Sequence, residues 1–313
     1  MHRLRVLEQD IIQKMQVIIS IGKLPIGIKR ALIFLACNIL DSEVYPDVLV
    51  LQPLIDFATE CLWAEDSFII SDSLWAFASL FSNSKALPIV CKTPIFKQII
   101  FYMKNYNNSI RRPALRCVGI LSSGDDSLGV ALIQLGVFEG LENILGSQSE
   151  KLIREACWAI SNLLACGPTA IDICINKGIL SHTRLLLKTS NKVIVKEAMW
   201  VLYNGLMLSN MRQLETLVNI GVIEDLSTLL KIEESTIQGN TLKMLLSILN
   251  RENIRKEMYE EILNQLQEHG GVEAIESLQM HKNEEINKMA VQFIKDHYRK
   301  ESNSLLFDPP LFT

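Results

Sequence analysis

The chain has no excess of either charge: 31 Lys and Arg stand against 35 Asp and Glu, a formal net charge of −4 in 313 residues. Phosphate backbones are bound through a surplus of cations, so nucleic-acid recognition is not expected. No C-x-x-C pair occurs among the seven cysteines (Cys37, Cys61, Cys91, Cys117, Cys157, Cys166, Cys174). Most of them sit in apolar runs, where a thiol acts as a small hydrophobe; this predicts a reducing compartment with neither disulfides nor a zinc site. No apolar run is long enough to span a bilayer. The start, MHRLRVLEQDIIQKMQ, is amphipathic but broken by charges, unlike a secretory signal. Catalytic frames are missing as well. The five histidines (His2, His182, His269, His281, His297) are scattered, and none lies in G-x-S-x-G or H-E-x-x-H. SSGDDSLG (122–129) lacks the spacing of a phosphate-binding loop and reads as a polar turn between helices. The expectation is a soluble intracellular binding protein, not an enzyme, with no cofactor, no metal, no nucleic acid and no membrane partner.

Hydrophobic residues are abundant, at 49% of the chain, and they recur with a long period. The segments IKRALIFLACNIL, ISDSLWAFASLF, IRRPALRCVGIL, IREACWAISNLL, VKEAMWVLYNGL and IQGNTLKMLLSIL align on Phe34, Trp75, Arg116, Trp158, Trp200 and Lys243, spaced by 41, 41, 42, 42 and 43 residues. A second ladder runs in phase: LGVFEGLENIL at Gly136, KGILSHTRLLL at Gly178 and IGVIEDLSTLL at Gly221. A later copy, GGVEAIESLQ at Gly271, follows a longer interval that holds an insertion at 252–267. Within a unit, Ile153, Ala156, Cys157, Ile160 and Leu163–Leu164 repeat at three- and four-residue spacing, which marks a core-facing helix. Glycine falls in each break, where a left-handed residue ends a helix. β-Hairpin dipeptides between alternating strands are lacking. Units of about forty-two residues with two or three helices match armadillo or HEAT geometry, stacking because one unit cannot bury its own apolar face. The predicted fold is all-α: a right-handed α-solenoid of armadillo repeats. Residues 1–24 would form a partial N-terminal repeat, 25–300 the repeat domain with a C-terminal capping repeat, and 301–313 a flexible tail.

One face of the last helix in each unit carries polar residues in a set pattern. Glu155, Trp158 and Asn162 stand at i−3, i and i+4, and Glu197, Trp200 and Asn204 repeat the arrangement. A single Trp at helical spacing is ordinarily core. A carboxylate and an amide on the same face oppose that reading, because burying them unpaired is costly. The stripe therefore reads as a wall of a binding groove. Asn can clamp the C=O and N–H of an extended peptide, and indole faces attract cationic heads by about 0.5–2 kcal/mol. Glu155, Glu197 and the Asp125–Asp126 pair would meet the charge, so the inferred ligand is an extended Lys/Arg-rich peptide. Trp63, outside the ladder, is expected to pack within its own unit.

These segments resemble importin-α (karyopherin-α), the armadillo adaptor of nuclear import. The resemblance is carried by PALRCVGILSSGDD (113–126), REACWAISNLLA (154–165), KEAMWVLYNGL (196–206) and GGVEAIESLQMHKNEEINKMAVQFIKDHY (270–298), and it runs from about 25 to 300. It implies a protein of cytoplasm and nucleus that binds basic nuclear-localisation-signal cargo, mainly at a minor-type site. That site would comprise Trp158, Asn162, Trp200, Asn204, Glu197, Ser161, Gly124 and Asp126. Arg116 also matches, but the family's Asn four residues later is Ile120 here, one backbone clamp fewer. In the major-type site Phe34 and Asn38 match the fourth repeat's Trp and Asn. Trp75 and Asp72 match the fifth, whose Tyr is Ser79 here. The early repeats and the basic importin-β-binding arm have no counterpart, so importin-β recruitment is not implied. The chain then reads either as incomplete or as a reduced homologue. By the same resemblance the terminal repeat would contact the export receptor, besides capping the apolar end. The competing reading is an armadillo scaffold for another protein partner; a groove suited to acidic ligands would distinguish it.

Overall fold

The computed structural model describes residues 10–41, 48–91 and 94–298. The MHRLR start, His2, and the expected tail at 301–313 lie outside the described residues. Every regular element among the described residues is α-helical. The chain divides into two compact units, Met1–Cys166 and Gly167–Thr313, and the division falls at the turn between one repeat and the next.

The first unit opens with α1 (Ile11–Ile19) and α2 (Ile26–Leu40), followed by α3 (Val48–Cys61) and α4 (Ser67–Phe81). A short α5 (Leu87–Val90) and α6 (Ile95–Met103) lead to α7 (Asn108–Ser122). Then come α8 (Asp126–Gln134), α9 (Val137–Leu145) and α10 (Glu150–Leu164). The helices α2, α4, α7 and α10 carry the first ladder, and each packs against the next. In α10 the buried set is Leu152, Ile153, Ala156, Cys157, Ala159, Ile160, Ser161, Leu163 and Leu164, which occupies more than one side of the helix. Burial of a Leu or Ile contributes about 1.5–3 kcal/mol. A helix with so broad an apolar surface is stable only when clamped from both sides, which is the reason for stacking.

The second unit repeats the plan. It contains α11 (Pro168–Asn176), α12 (Ile179–Leu187), α13 (Lys192–Met207), α14 (Met211–Asn219), α15 (Val222–Leu230) and α16 (Ser235–Leu249). α17 (Lys256–Glu268), α18 (Gly271–Leu278) and α19 (Glu284–His297) complete it. The expected insertion at 252–267 is absorbed in α17, a thirteen-residue helix where α8, α11 and α14 have nine residues each. In α19 Ile286, Ala290, Phe293 and Ile294 face inward while Val291, Gln292 and Lys295 are exposed.

Glycine makes the sharp turn between the first and second helix of a repeat. Gly136, Gly178 and Gly221 have φ of 79°, 71° and 92°, the left-handed region a Cβ disfavours, and α8 and α9 meet at 83° across Gly136. The last break departs from the sequence reading by one residue. Gly270 is the left-handed one (φ 67°), and Gly271 is already helical. Gly271 is needed for space instead: a Cβ there would lie 2.4 Å from Leu266 Cδ1 and 2.7 Å from Ser227 Oγ. Five of the long helices, α4, α7, α13, α16 and α19, start on side-chain caps from Asp66, Asn107, Asn191, Glu234 and Asn283, each satisfying a free N–H.

Polar ties between successive repeats close the turns. Arg251 donates to the carbonyls of Ser209 (2.7 Å) and Leu206 at the end of α13. Arg184 on α12 donates to the carbonyls of Ile220 and Gly221 and pairs with Asp225, whose side chain is 1% exposed. Burial pushes the Asp225 carboxyl up, and Arg184 opposes that shift. Removing one partner of such a pair strands the other. Arg184→Ala is expected to destabilise the second unit by about 3–5 kcal/mol. A urea titration of the full chain, compared with wild type, checks this; an unchanged midpoint would contradict it.

Candidate functional site

The ladder residues of the first unit lie on α2, α4, α7 and α10. Phe34 is 62% exposed, and Asn38 turns its amide back onto the Phe34 carbonyl at 2.7 Å. On α4, Asp72 and Trp75 are half-buried, and burial raises the Asp72 carboxyl. Ser79, where a Tyr was expected, donates to Asp41 at 3.0 Å. On α7, Arg116 is exposed and Ile120 half-buried. Gly124 and Asp126 are both exposed around the turn that follows. There Asp125, not Asp126, caps α8 by accepting from the Ser127 N–H at 2.8 Å.

The α10 rung holds the most informative geometry. Trp158 is half-buried, and its ring lies against Gly119 of α7 so closely that a Cβ on Gly119 would sit 2.1 Å from Trp158 Cζ3. The guanidinium of Arg116 stacks over the same indole at 5.1 Å. Arg112, one turn earlier on α7, reaches the other way, over Trp75 at 5.8 Å. Each stack at an exposed edge contributes roughly 0.5–1 kcal/mol. Ser161, buried, donates to the Trp158 carbonyl at 2.8 Å and so serves its own helix.

Two polar atoms of this rung are buried without a hydrogen-bond partner: Glu155 Oε2 and Asn162 Nδ2. They flank Trp158 at i−3 and i+4, on the same stripe. Buried polar atoms are nearly always satisfied, so an unmet acceptor and an unmet donor beside one indole call for an explanation. Burial pushes the Glu155 carboxyl up, while Arg112, Arg116 and Arg154 pull it down. No arginine comes near enough to form an ion pair with it among the described residues.

In the second unit α13 carries Glu197, Trp200 and Asn204, all half-buried. Trp200 meets Tyr203 edge-on at 5.3 Å. At the equivalent positions of α16 stand Asn240 and Lys243, and Lys243 pairs with Glu285 of α19 at 2.8 Å. These residues line a cavity of about 220 Å³ together with Ser235, Thr236 and Asn283.

Sequence reasoning does not single out Arg112 or Gly119. The four-residue spacing of Arg112 from Arg116 places them on one face, but its reach to Trp75 depends on how α4 and α7 register. Trp63, expected to pack inside its unit, is 50% exposed just beyond the end of α3. It stands in the turn where the helix has ended.

Comparison with known proteins finds armadillo repeats in two segments and importin α subunits among the similar chains. Residues 130–165 match the Armadillo/beta-catenin-like repeat, and residues 260–309 match the Atypical Arm repeat. Importin subunit alpha-1b of Oryza sativa subsp. japonica is 27% identical over 278 residues, covering 86% of this chain and 52% of the relative. Importin subunit alpha-4 of Arabidopsis thaliana is 28% identical over 260 residues, 80% of this chain and 48% of the relative. The chain thus spans about half the length of the curated relatives it matches. Among solved structures, an engineered protein superposes with a TM-score of 0.77 at 19% identity, covering 90% of this chain and 67% of that one. A designed armadillo repeat protein in complex with the peptide (KR)4 gives 0.68 at 23%, covering 77% of this chain and 98% of that one.

Two outcomes follow from the α10 rung. Gly119→Ala is expected to displace the Trp158 indole at a cost of about 1–3 kcal/mol, read as a shift in tryptophan emission with a lower unfolding midpoint. For Glu155, a carboxyl raised in the folded state favours folding while protonated, and that advantage is lost as pH rises through its folded value. Glu155→Gln should therefore be more thermostable than wild type at pH 7, with the gap closing as pH falls through the carboxylate range. Thermal melts at both pH values measure it.

Proposed function

We infer that this armadillo-repeat protein, similar in sequence to importin α subunits, is a peptide-binding adaptor rather than an enzyme. Its ligand is an extended peptide rich in Lys and Arg, of the kind that serves as a nuclear localisation signal. The observation that carries this reading is the pair of unpartnered atoms beside Trp158. Asn162 Nδ2 is a donor suited to a peptide carbonyl, and Glu155 Oε2 is an acceptor suited to a cationic side chain. An extended peptide advances roughly 3.3 Å per residue, so one rung can engage backbone and side chain of neighbouring positions. The designed armadillo protein that holds (KR)4 supports the ligand class on the same fold.

On this reading the rung of Trp158, Asn162 and Ser161, with Gly124 and Asp126 as its acidic lip, offers minor-type binding chemistry in the first unit, and the rung of Trp200, Asn204 and Glu197 offers it in the second. Phe34, Asn38, Asp72 and Trp75 contribute a reduced major-type site, and Arg116 interrupts the ladder between the two. The protein moves between cytoplasm and nucleus with its cargo, and the C-terminal repeat ending in α19 is the candidate surface for the export receptor.

Titration of a fluorescently labelled Lys/Arg-rich peptide tests the reading. Trp158→Ala combined with Asn162→Ala is expected to weaken binding about tenfold or more, since a stacked cation and a hydrogen bond together contribute about 1.4 kcal/mol or above. Trp200→Ala, measured separately, should weaken it by several-fold. Affinities equal to wild type in both variants would overturn it.

A further inference from the structure

The second helix of a repeat carries charge in a set pattern, and α12 breaks it. The third residue of α9, α15 and α18 is a glutamate: Glu139, Glu224 and Glu273. Glu139 pairs with Lys104 at 2.7 Å, and Glu224 pairs with Lys188 at 3.2 Å. In α12 the same position is Ser181, and the helix, ILSHTRLLL, holds no carboxylate at all. Its ionisable groups are His182 and Arg184, with Lys177 just before the helix and Lys188 just after it. A cavity of about 440 Å³ opens here, lined by Lys177, Ser181, His182, Arg184, Leu185 and Lys188.

Two of these cations are already met. Arg184 is spent on Asp225 and on the carbonyls of Ile220 and Gly221, and Lys188 shares Glu224 with it. Among the described residues, the side chains of Lys177, Ser181 and His182 make no hydrogen bond or ion pair. An ammonium, a hydroxyl and an imidazole therefore border one cavity with donors unspent. The volume falls within the range of roughly 300–1,000 Å³ typical of ligand sites, whereas one water occupies about 30 Å³. The space accommodates several side chains, not a lone ion. Leu185, 65% exposed, adds apolar surface to the lining. Glu197, Trp200 and Asn204 of α13 take no part in it, so the cavity is separate from the ladder.

We propose that this cavity is a second binding site, of opposite preference to the ladder, which takes an acidic segment of a partner protein. Carboxylates or a phosphoserine of that segment accept charge-assisted hydrogen bonds from Lys177 and His182 and a further one from Ser181. An apolar neighbour in the segment rests on Leu185. A nucleic acid is a poorer fit, because its phosphates require a row of free cations, and here the one unpaired ammonium stands near Glu224 and Asp225. Ser181 is what opens the site. A glutamate there, as in α9 and α15, places a carboxylate beside the same donors and closes it to an anion.

The test titrates the full chain with three short labelled peptides: one rich in Glu, one carrying phosphoserine, and a neutral control with Gln for Glu. At least one acidic peptide is expected to bind wild type about tenfold or more tighter than the control, and the tighter of the two identifies the anion. Ser181→Glu and Lys177→Gln should each weaken that binding about five- to tenfold. Lys282→Gln, an exposed lysine outside the lining, should leave it unchanged. Ser181 is exposed and a glutamate at this helix position already occurs in α9 and α15, so Ser181→Glu keeps the fold, which a thermal melt checks. The Lys/Arg-rich peptide should bind Ser181→Glu as it binds wild type. Equal affinity of wild type for acidic and neutral peptides overturns the proposal, and so does acidic-peptide binding that survives in Ser181→Glu. Capture of a labelled oligonucleotide or of anionic vesicles, with no binding of either acidic peptide, overturns it as well.

Discussion

The structure depends on the two-sided burial of the long third helix in each repeat. In α10 nine residues face neighbouring helices, and Trp158, Glu155 and Asn162 occupy the strip left over. That strip is narrow, so only positions three and four apart can share it. The period of the chain then becomes the period of the site: a repeat of about forty-two residues returns the same strip once per unit. The glycine turns and the polar ties from Arg184 and Arg251 serve this constraint, because they hold the two shorter helices in the angle that clamps the long one. Binding chemistry sits on what the packing does not consume.

The Trp158 rung shows the tension that follows. The indole lies against Gly119 and under Arg116, so it is positioned by the fold before any ligand arrives. The same close packing buries one oxygen of Glu155 and the amide nitrogen of Asn162 without partners. A fold selected for stability alone would replace that pair with apolar groups or satisfy it internally, since unmet buried atoms are costly. Retaining them is physically coherent when a ligand supplies the missing acceptor and donor. The first ladder position behaves differently. Asn38 spends its donor on the Phe34 carbonyl, and Phe34 itself is largely exposed, so that rung has less left to offer.

Much of this was legible in the sequence because it is periodic. Helical spacing, the register of the long helices and the glycine breaks at Gly136, Gly178 and Gly221 follow from residues that recur in phase. The last break shows the limit. Two adjacent glycines satisfy the same pattern, and only the backbone separates Gly270, which turns, from Gly271, which is small because Leu266 and Ser227 press against it. Arg112 shows a deeper limit. Its partner Trp75 is on another helix, thirty-seven residues earlier, and no local spacing encodes that contact. Gly119 is similar: as a helical residue it looks like a weak point, and its reason is the indole of the next repeat. Local periodicity predicts which face a residue occupies; inter-helix register decides what it meets there.

Positive charge on the ladder is not by itself what distinguishes α7. Lys243 on α16 occupies the corresponding position of its own repeat, yet it is paired with Glu285 at 2.8 Å, and its charge is met within the second unit. Arg112 and Arg116 are met by ring faces instead. A π-face orients a guanidinium without neutralising it, whereas a carboxylate does both. Two rungs of similar composition therefore present opposite faces to a ligand, one electrically closed and one open. The open one lies beside the α10 rung, where an acceptor and a donor are buried and unmet.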